Sequence, residues 1–216
     1  LTGWVVGDSG LVLKTTTGGE GPPVYSVAGI VKYQDNGLPV TSGYVKALKY
    51  DSLLFSIITV DSAQILSNGR YTFSNIPPSS TIDIMAYEND EEELSFVPTY
   101  YVSTINWKNA SSIRVDSNMS SIDISVKRIV NSGYSYHIAG YVYTNNANDL
   151  TALKDAVIYA RLAGVFKGYS VSLSNGYYRI DSLPAGVYEI IADRMGYDAG
   201  TYIISLTNTS LDNINF

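Results

Sequence analysis

The sequence predicts an all-β protein of two tandem β-sandwich modules, preceded by a short β-hairpin or strand extension. Its composition favours strands, because tyrosine, valine, isoleucine and threonine are abundant and these residue types are enriched in sheets. Two sequence patterns also recur in the same order along the chain, which is typical of a repeated structural unit. No stretch of helix length shows the apolar period of about 3.6 residues that an amphipathic helix requires.

The repeat consists of two patterns. Residues 28–33 read AGIVKY, and residues 139–143 read AGYVY. Further along the chain, SNGRYTFSNIPP at 67–78 returns as SNGYYRIDSLPA at 174–185. The Asn-Gly pair in each copy predicts a tight turn that leads into a strand. Two copies of one module are the simplest explanation of both recurrences.

Alternating apolar residues and breaks at Pro and Gly complete the assignment, with about seven short strands expected per module. The predicted strands of the first module include 27–33, 43–50, 70–76, 81–87 and 120–129. Those of the second include 138–144, 155–163, 177–183, 187–194 and 210–216. The predicted domains are 1–23 (hairpin extension and linker), 24–131 (first module, with an insertion at about residues 88–118) and 132–216 (second module).

The second module resembles the carboxypeptidase regulatory-like domain. The matching positions are Gly140, Val142, Val157, Asn175, Gly176, Tyr178, Leu183, Pro184, Ala185, Gly186, Tyr188, Gly196 and Tyr197. The first module matches at Gly29, Val31, Gly69, Tyr71, Phe73, Ile76, Pro77 and Pro78, and it departs where Ser79 and Ser80 replace a glycine. The resemblance implies a transthyretin-like or Ig-like β-sandwich, related to the B repeats of Gram-positive collagen adhesins. It also implies a passive role, since that domain carries no peptidase residues.

Residues 1–19 belong to neither module. Two short strand-like runs flank GDSG at 7–10, and the whole segment resembles the last strands of a repeat from sialidase-like or photosystem-assembly-like β-propellers. Because an isolated hairpin is marginal in water, we expect it to pack on another surface, unless it is the remnant of a truncated propeller. The candidate assembly residues are Trp4, Val5, Val6, Leu11, Val12 and Leu13.

The GDSG tetrapeptide also surrounds the nucleophile of chymotrypsin-like serine proteases. A serine nucleophile needs a general base, and the chain has a single histidine, His137. In that family the histidine and the aspartate precede the serine, whereas His137 follows Ser9. We therefore interpret GDSG as a hairpin turn and His137 as a hydrogen-bonded or exposed residue at a strand edge, and we expect no enzymatic activity.

Composition excludes several other classes. The chain has no cysteine, which removes disulfides, thiolate catalysis and cysteine-ligated metals. Its net charge of −6 disfavours nucleic-acid binding, and no apolar run approaches the ~20 residues that span a bilayer. A disulfide-free, mildly acidic β protein is typical of bacterial cell surfaces. Because the sequence begins at Leu1 without a signal peptide, we expect a processed product or a fragment.

Two stretches of the insertion carry candidate binding residues. Asp90, Glu91, Glu92 and Glu93 could supply part of a Ca²⁺ site, although a solvated loop is the commoner meaning of an acidic run. Tyr100, Tyr101 and Trp107 could stack on sugars or anchor a protein interface, and the alternative is that they cap an open end of the core. We expect no other cofactor.

These observations favour a non-catalytic, extracellular structural or adhesive module pair. The hypothesis is a subunit of a surface fibre that assembles by strand addition through the N-terminal segment, with self-association or another extracellular protein as the partner. The alternative is an accessory carbohydrate- or protein-binding region of a larger secreted β-propeller protein or enzyme, for which glycans are the candidate partners.

Overall fold

The computed structural model of the chain describes residues 2–6, 12–15, 21–88, 94–130, 133–146 and 149–216. The described residues form an all-β fold in which a single 3₁₀ turn, Trp107–Asn109, interrupts the strands. Within these ranges, no helix has the length and apolar character needed to cross a membrane. The strands are β1 (Gly3–Val6), β2 (Val12–Thr15), β3 (Tyr25–Tyr33), β4 (Tyr44–Asp51), β5 (Ser56–Gln64), β6 (Arg70–Ile76), β7 (Ser80–Tyr87), β8 (Thr99–Tyr100), β9 (Ile113–Val115), β10 (Ile124–Val126), β11 (Tyr136–Tyr141), β12 (Tyr143–Asn146), β13 (Asp149–Ala152), β14 (Val157–Leu162), β15 (Val165–Val171), β16 (Tyr177–Leu183), β17 (Gly186–Asp193) and β18 (Gly200–Leu206).

The first module packs two sheets around one core. One sheet has the order β10-β3-β6, and the other has the order β5-β4-β7-β8, with β9 also pairing with β7. Strands β3, β6 and β7 alternate buried and outward-facing residues, which is the pattern of a sheet with one face on the core. The largest core side chains include Tyr71, Phe73 and Phe96.

The second module also packs two sheets around a core of its own. Its larger sheet has the order β15-β14-β17-β18, and β11 pairs with β16 on the other side of the core. Strands β12 and β13 form a hairpin beside them. The core contains Tyr178, Tyr188 and Ile190, all at most 1% exposed.

Each module closes with a segment that runs parallel to its first strand. In the first module β10 pairs in parallel with β3. In the second, Leu211 forms a parallel bridge with Ile138, and the amides of Ile214 and Phe216 donate to β11. The last segment of each sandwich is therefore held by its first strand.

The recurring residues of the sequence lie at this closure. A Cβ on Gly29 would lie 2.0 Å from the carbonyl oxygen of Ile122, and a Cβ on Gly140 would lie 2.0 Å from that of Ile214. The Tyr71 hydroxyl donates to the Ile122 carbonyl and the Tyr178 hydroxyl donates to the Ile214 carbonyl, each at 2.7 Å. The glycines allow the closing segment to approach the first strand closely, and the tyrosine hydroxyls then donate to carbonyls of that segment.

The two Asn-Gly turns are confirmed. Gly69 and Gly176 both have φ of +80°, the left-handed region that glycine adopts without strain. The preceding Asn side chains accept the amide protons of Arg70 and Tyr177. The turns therefore have the same geometry in both modules.

The predicted closing strands are longer than those observed. Of residues 120–129 only β10 is a regular strand, and residues 210–216 make hydrogen bonds to β11 at alternate positions without forming one. The predicted strand 138–144 is divided at Val142, because its amide donates to Gly176 and its carbonyl accepts from Leu153. The domain limits at 1–23, 24–131 and 132–216 remain a prediction.

Candidate functional site

The N-terminal segment contains the predicted hairpin. Strands β1 and β2 pair antiparallel, with Gly3 opposite Thr15 and Val6 opposite Val12. Trp4 is 62% exposed and Val12 is 52% exposed. The Lys14 ammonium lies 5.3 Å from the centroid of the Trp4 ring, within the range of a cation–π contact.

Other candidate residues of this segment are only partly described. Val5, Val6 and Leu13 hold their predicted positions in the two strands. The GDSG turn and Leu11 lie outside the described residues. The assignment of an assembly strand stays a prediction, although the hairpin itself is present.

Strand β18 is a second exposed element, and the sequence analysis missed it. It is the last strand in the order β15-β14-β17-β18 and pairs with β17 over seven residue pairs. Ile203 is 68% exposed and Tyr202 is 46% exposed. The β-branched run TYII could have indicated this strand in the sequence. Both faces of the strand are exposed near its middle, so the alternation that marks a half-buried strand is weak.

Of the aromatic candidates in the insertion, Tyr100 is buried, and Tyr101 and Trp107 are half-buried. Tyr100 is 3% exposed and packs with Leu48 and Met195, so desolvation raises the pKa of its hydroxyl far above the usual range. Tyr101 is half-buried against the first core. Strand β8 pairs with β7, and the Tyr100 ring contacts Met195 of the second module, while the binding surface stays a prediction.

Trp107 links the insertion to the second module. Its backbone N–H donates to both carboxylate oxygens of Asp193, at 3.2 and 3.3 Å. Its indole N–H donates to the carbonyl of Tyr197 at 2.6 Å. The neighbouring Lys108 forms an ion pair with Asp198. The aromatic stretch therefore joins the two modules.

A buried cluster forms the rest of the contact between modules. The Tyr159 hydroxyl donates to the carbonyl of Pro98, and the Tyr169 hydroxyl donates to that of Glu88, both at 3.0 Å. Tyr159 is fully buried, so its bond lies out of water. The cluster consists of Val97, Ile129, Val157, Tyr159, Phe166 and Tyr169.

Asp193 is a carboxyl group buried at this contact. The residue is 2% exposed. Desolvation raises its pKa to about 7, and the bond from the Trp107 backbone opposes that shift. Nothing in the sequence distinguishes Asp193 from a surface aspartate, because its burial depends on the insertion that covers it.

The structure shows the surroundings of the histidine and of the described acidic residues. The Nε2 atom of His137 lies 3.2 Å from a carboxylate oxygen of Asp212, as expected for a hydrogen-bonded histidine at a strand edge. Among the residues that the structure describes, no three His, Asp or Glu side chains are close enough to hold a metal ion. The calcium candidates Asp90 to Glu93 lie outside the described residues.

Comparisons with known proteins identify neighbours of low similarity. No protein-family model matches the chain, and no curated protein matches it at a significant level. Among solved structures, the Bacillus anthracis TIE protein is 11% identical with a TM-score of 0.32, over 89% of this chain and 33% of that one. A streptococcal ancillary pilin is 14% identical with a TM-score of 0.33, over 89% and 62%. The shaft pilin of Lactobacillus rhamnosus GG is 10% identical with a TM-score of 0.32, over 88% and 96%.

The chain thus spans less than two thirds of the first two neighbours. TM-scores this low carry no argument about what the chain does. The all-β architecture rests on the strand pairing described above.

Proposed function

We propose that the chain is a non-catalytic structural subunit of an extracellular fibre, displayed on a bacterial surface, in which the N-terminal hairpin of one copy pairs with a sheet edge of the next. The observation that carries this proposal is the β1–β2 hairpin, which exposes Trp4 and Val12 although apolar side chains of that size usually favour burial. We also propose that both modules are related to the carboxypeptidase regulatory-like domain.

The hairpin has the properties of a strand donor. It is a two-stranded sheet, so each of its strands is an edge with backbone groups available for further pairing. A two-stranded ribbon is marginal in water on its own, and pairing with another sheet would stabilise it. Its exposed apolar side chains would be buried in the same step.

Strand β18 supports the proposal as the acceptor. In an antiparallel pair, about half of a strand's backbone groups face its partner and the rest face away. The outer edge of β18 therefore offers N–H and C=O groups along seven residues, beside the exposed Ile203. Donor and acceptor are different surfaces of one chain, so their contact is heterologous and extends into a filament unless it closes into a ring.

The contact between the modules suits a fibre subunit. Tyr159 and Trp107 form hydrogen bonds that cross from one module to the other. The apolar cluster around Tyr159 excludes water from one of these bonds. The two modules would then behave as one body along the fibre.

The first test is light scattering with negative-stain microscopy over a range of concentrations. The full chain is expected to form concentration-dependent oligomers or fibres, and a variant that lacks residues 1–23 is expected to stay monomeric. Ile203→Lys should weaken assembly, since it places a charge at the acceptor edge. Leu150→Lys is the matched control, because Leu150 is 69% exposed and lies on the β12–β13 hairpin.

The opposite results would reject the proposal. A full-length chain that stays monomeric at every concentration would contradict it. Equal assembly with and without residues 1–23 would exclude the hairpin as the donor.

A further inference from the structure

The second module contains a groove of about 490 Å³. The sequence analysis predicted no binding site at this place. It lies where β12, the start of β18 and the segment after β17 meet. Its aromatic lining residues are Tyr143, Tyr197, Tyr202 and Phe216. A volume of this size is within the range of small-ligand sites.

The aromatic rings of the groove are held in place by neighbouring rings and charges. The Tyr202 and Phe216 ring centroids are 4.8 Å apart, and Phe216 also packs on Tyr178. Tyr143 stacks on Tyr141 with an interplanar angle of 20°. The Arg194 guanidinium lies 5.1 Å from the centroid of the Tyr197 ring. These contacts order the rings before a ligand arrives, so less entropy is lost on binding.

The same rings remain accessible. Tyr202 is 46% exposed, and the other three lining rings are half-buried. A rigid aromatic face beside a polar rim is the arrangement that stacks on the C–H face of a ring-shaped polar molecule.

Two charged groups around the groove already have partners within the protein. The guanidinium of Arg194 donates to the carbonyls of Lys154, Met195 and Phe55. Asp198 is paired with Lys108. Asp193 also lines the groove, but it is 2% exposed and Arg194 is 6% exposed, so neither presents its charge at the open face.

Its remaining polar groups suit hydroxyl partners. The Thr201 side chain is exposed at the rim, and the carboxylate oxygens of Asp198 retain lone pairs beyond the ion pair. Hydroxyl and carboxylate groups around aromatic faces match a ligand that has both apolar faces and many O–H groups. Neutral saccharides combine these two properties.

We propose that this groove binds a neutral glycan chain, with sugar rings stacked on Tyr202 and Tyr143 and sugar hydroxyls bonded at Asp198 and Thr201. The site would add adhesion to the structural role. Tyr202 lies on the face of β18 opposite to Ile203, whereas Thr201 shares the face of Ile203, so the glycan site is tested apart from fibre assembly.

Trp107 provides a reporter for this site. Its indole N–H donates to the Tyr197 carbonyl at the wall of the groove. The chain has two tryptophans, so Trp4→Phe leaves Trp107 as the single one. Its emission should change when the groove is filled.

The experiment titrates the Trp4→Phe protein with neutral hexasaccharides of α-linked glucose, β-linked glucose and N-acetylglucosamine, followed by Trp107 fluorescence and calorimetry. Saturable binding of at least one probe is expected, with a dissociation constant of about 1 mM or tighter. Tyr202→Ala and Tyr143→Ala should each weaken it about fivefold or more. Tyr134→Ala is the matched control, because Tyr134 is 49% exposed and lies outside the groove.

A second measurement uses the native chain, so it does not depend on whether the variants fold. A bound glycan stabilises the native chain, so the same probe should raise its Tm. The proposal is overturned if none of the three probes binds, or if Tyr134→Ala weakens binding as much as the groove variants do. Binding should persist without residues 1–23, which separates its outcome from that of the fibre proposal.

Discussion

Gly29 and Gly140 show how a single residue type can fix the closure of each sandwich. Both are buried, and each lies under a carbonyl of the closing segment. The repeated Ala-Gly pattern identifies these positions from the sequence alone. The partners of Tyr71 and Tyr178 could not be predicted, because they are backbone carbonyls whose place depends on a segment far along the chain.

Alanine at either closing glycine is expected to be strongly destabilising. A methyl group at Gly29 or Gly140 would meet a backbone oxygen at 2.0 Å, so the closing segment must move and its hydrogen bonds weaken. We expect each variant to lose about 2–4 kcal/mol in urea unfolding. Gly21→Ala is the control, since a Cβ there meets nothing within 4 Å, and equal losses in all three variants would contradict the argument.

Asp193 predicts a pH dependence of stability. Its pKa is raised from 3.8 to about 7 in the folded protein, so between these values the folded state binds more protons than the unfolded one. Stability should therefore fall as pH rises through this window, by up to about 1.4 kcal/mol per pH unit, and should level off above it.

The measurement compares urea unfolding at about pH 5 and about pH 8. Asp193→Asn should remove most of the difference between the two conditions. Tyr100 and Tyr159 contact the same region, but burial raises the pKa of each hydroxyl far above this range. A difference that persists unchanged in Asp193→Asn would show that another group is responsible.

At the scale of elements, the sequence pattern of β14 predicts a buried strand but not the surface that covers its outer face. Residues Val157 to Ala160 are all buried, because one face packs on the second core and the other contacts the first module. An unbroken apolar run such as VIYA is typical of a strand covered on both faces. The sequence placed the strand correctly, but it could not show which surface covers the outer face.

The insertion of the first module is that covering surface. Its aromatic residues suggested ligand binding when considered without the fold, and Trp107 and Tyr100 instead contact the second module. Whether an aromatic residue binds a ligand or an adjacent domain depends on domain orientation, which local patterns do not contain.

Weakening this contact should separate the unfolding of the two modules. We expect the native chain to unfold in a single calorimetric transition. A variant that combines Trp107→Ala with Tyr159→Phe loses two hydrogen bonds between modules and the packing of the indole, so two resolved transitions are expected. Tyr188→Phe is a control within the second module, since its hydroxyl donates to Pro184 of the same module, and it should lower stability without dividing the transition.

At the scale of the whole molecule, the proposed fibre needs a donor surface and an acceptor surface on one chain. The hairpin was predictable because its strand runs and turn chemistry are local. The acceptor edge was not, because β18 becomes an edge only through the order of the strands in its sheet.

Cysteine pairs can test this pairing directly, because the chain has no cysteine of its own. Oxidation of the Trp4→Cys, Ile203→Cys variant should give a ladder of covalent oligomers, since paired strands bring such residues within the ~7 Å between Cα atoms that a disulfide allows. Trp4→Cys combined with Leu150→Cys should not give a ladder. Equal ladders from both variants would indicate random collision.

The parallel closure of each module determines how it would respond to tension. A pull on the start of β3 and the end of β10 acts at opposite ends of two parallel strands, so it slides one strand along the other. All the hydrogen bonds between them then bear the force together, whereas an antiparallel pair pulled from one end opens one bond at a time. Each sandwich would therefore yield in shear, the geometry that gives a short run of hydrogen bonds its greatest mechanical strength.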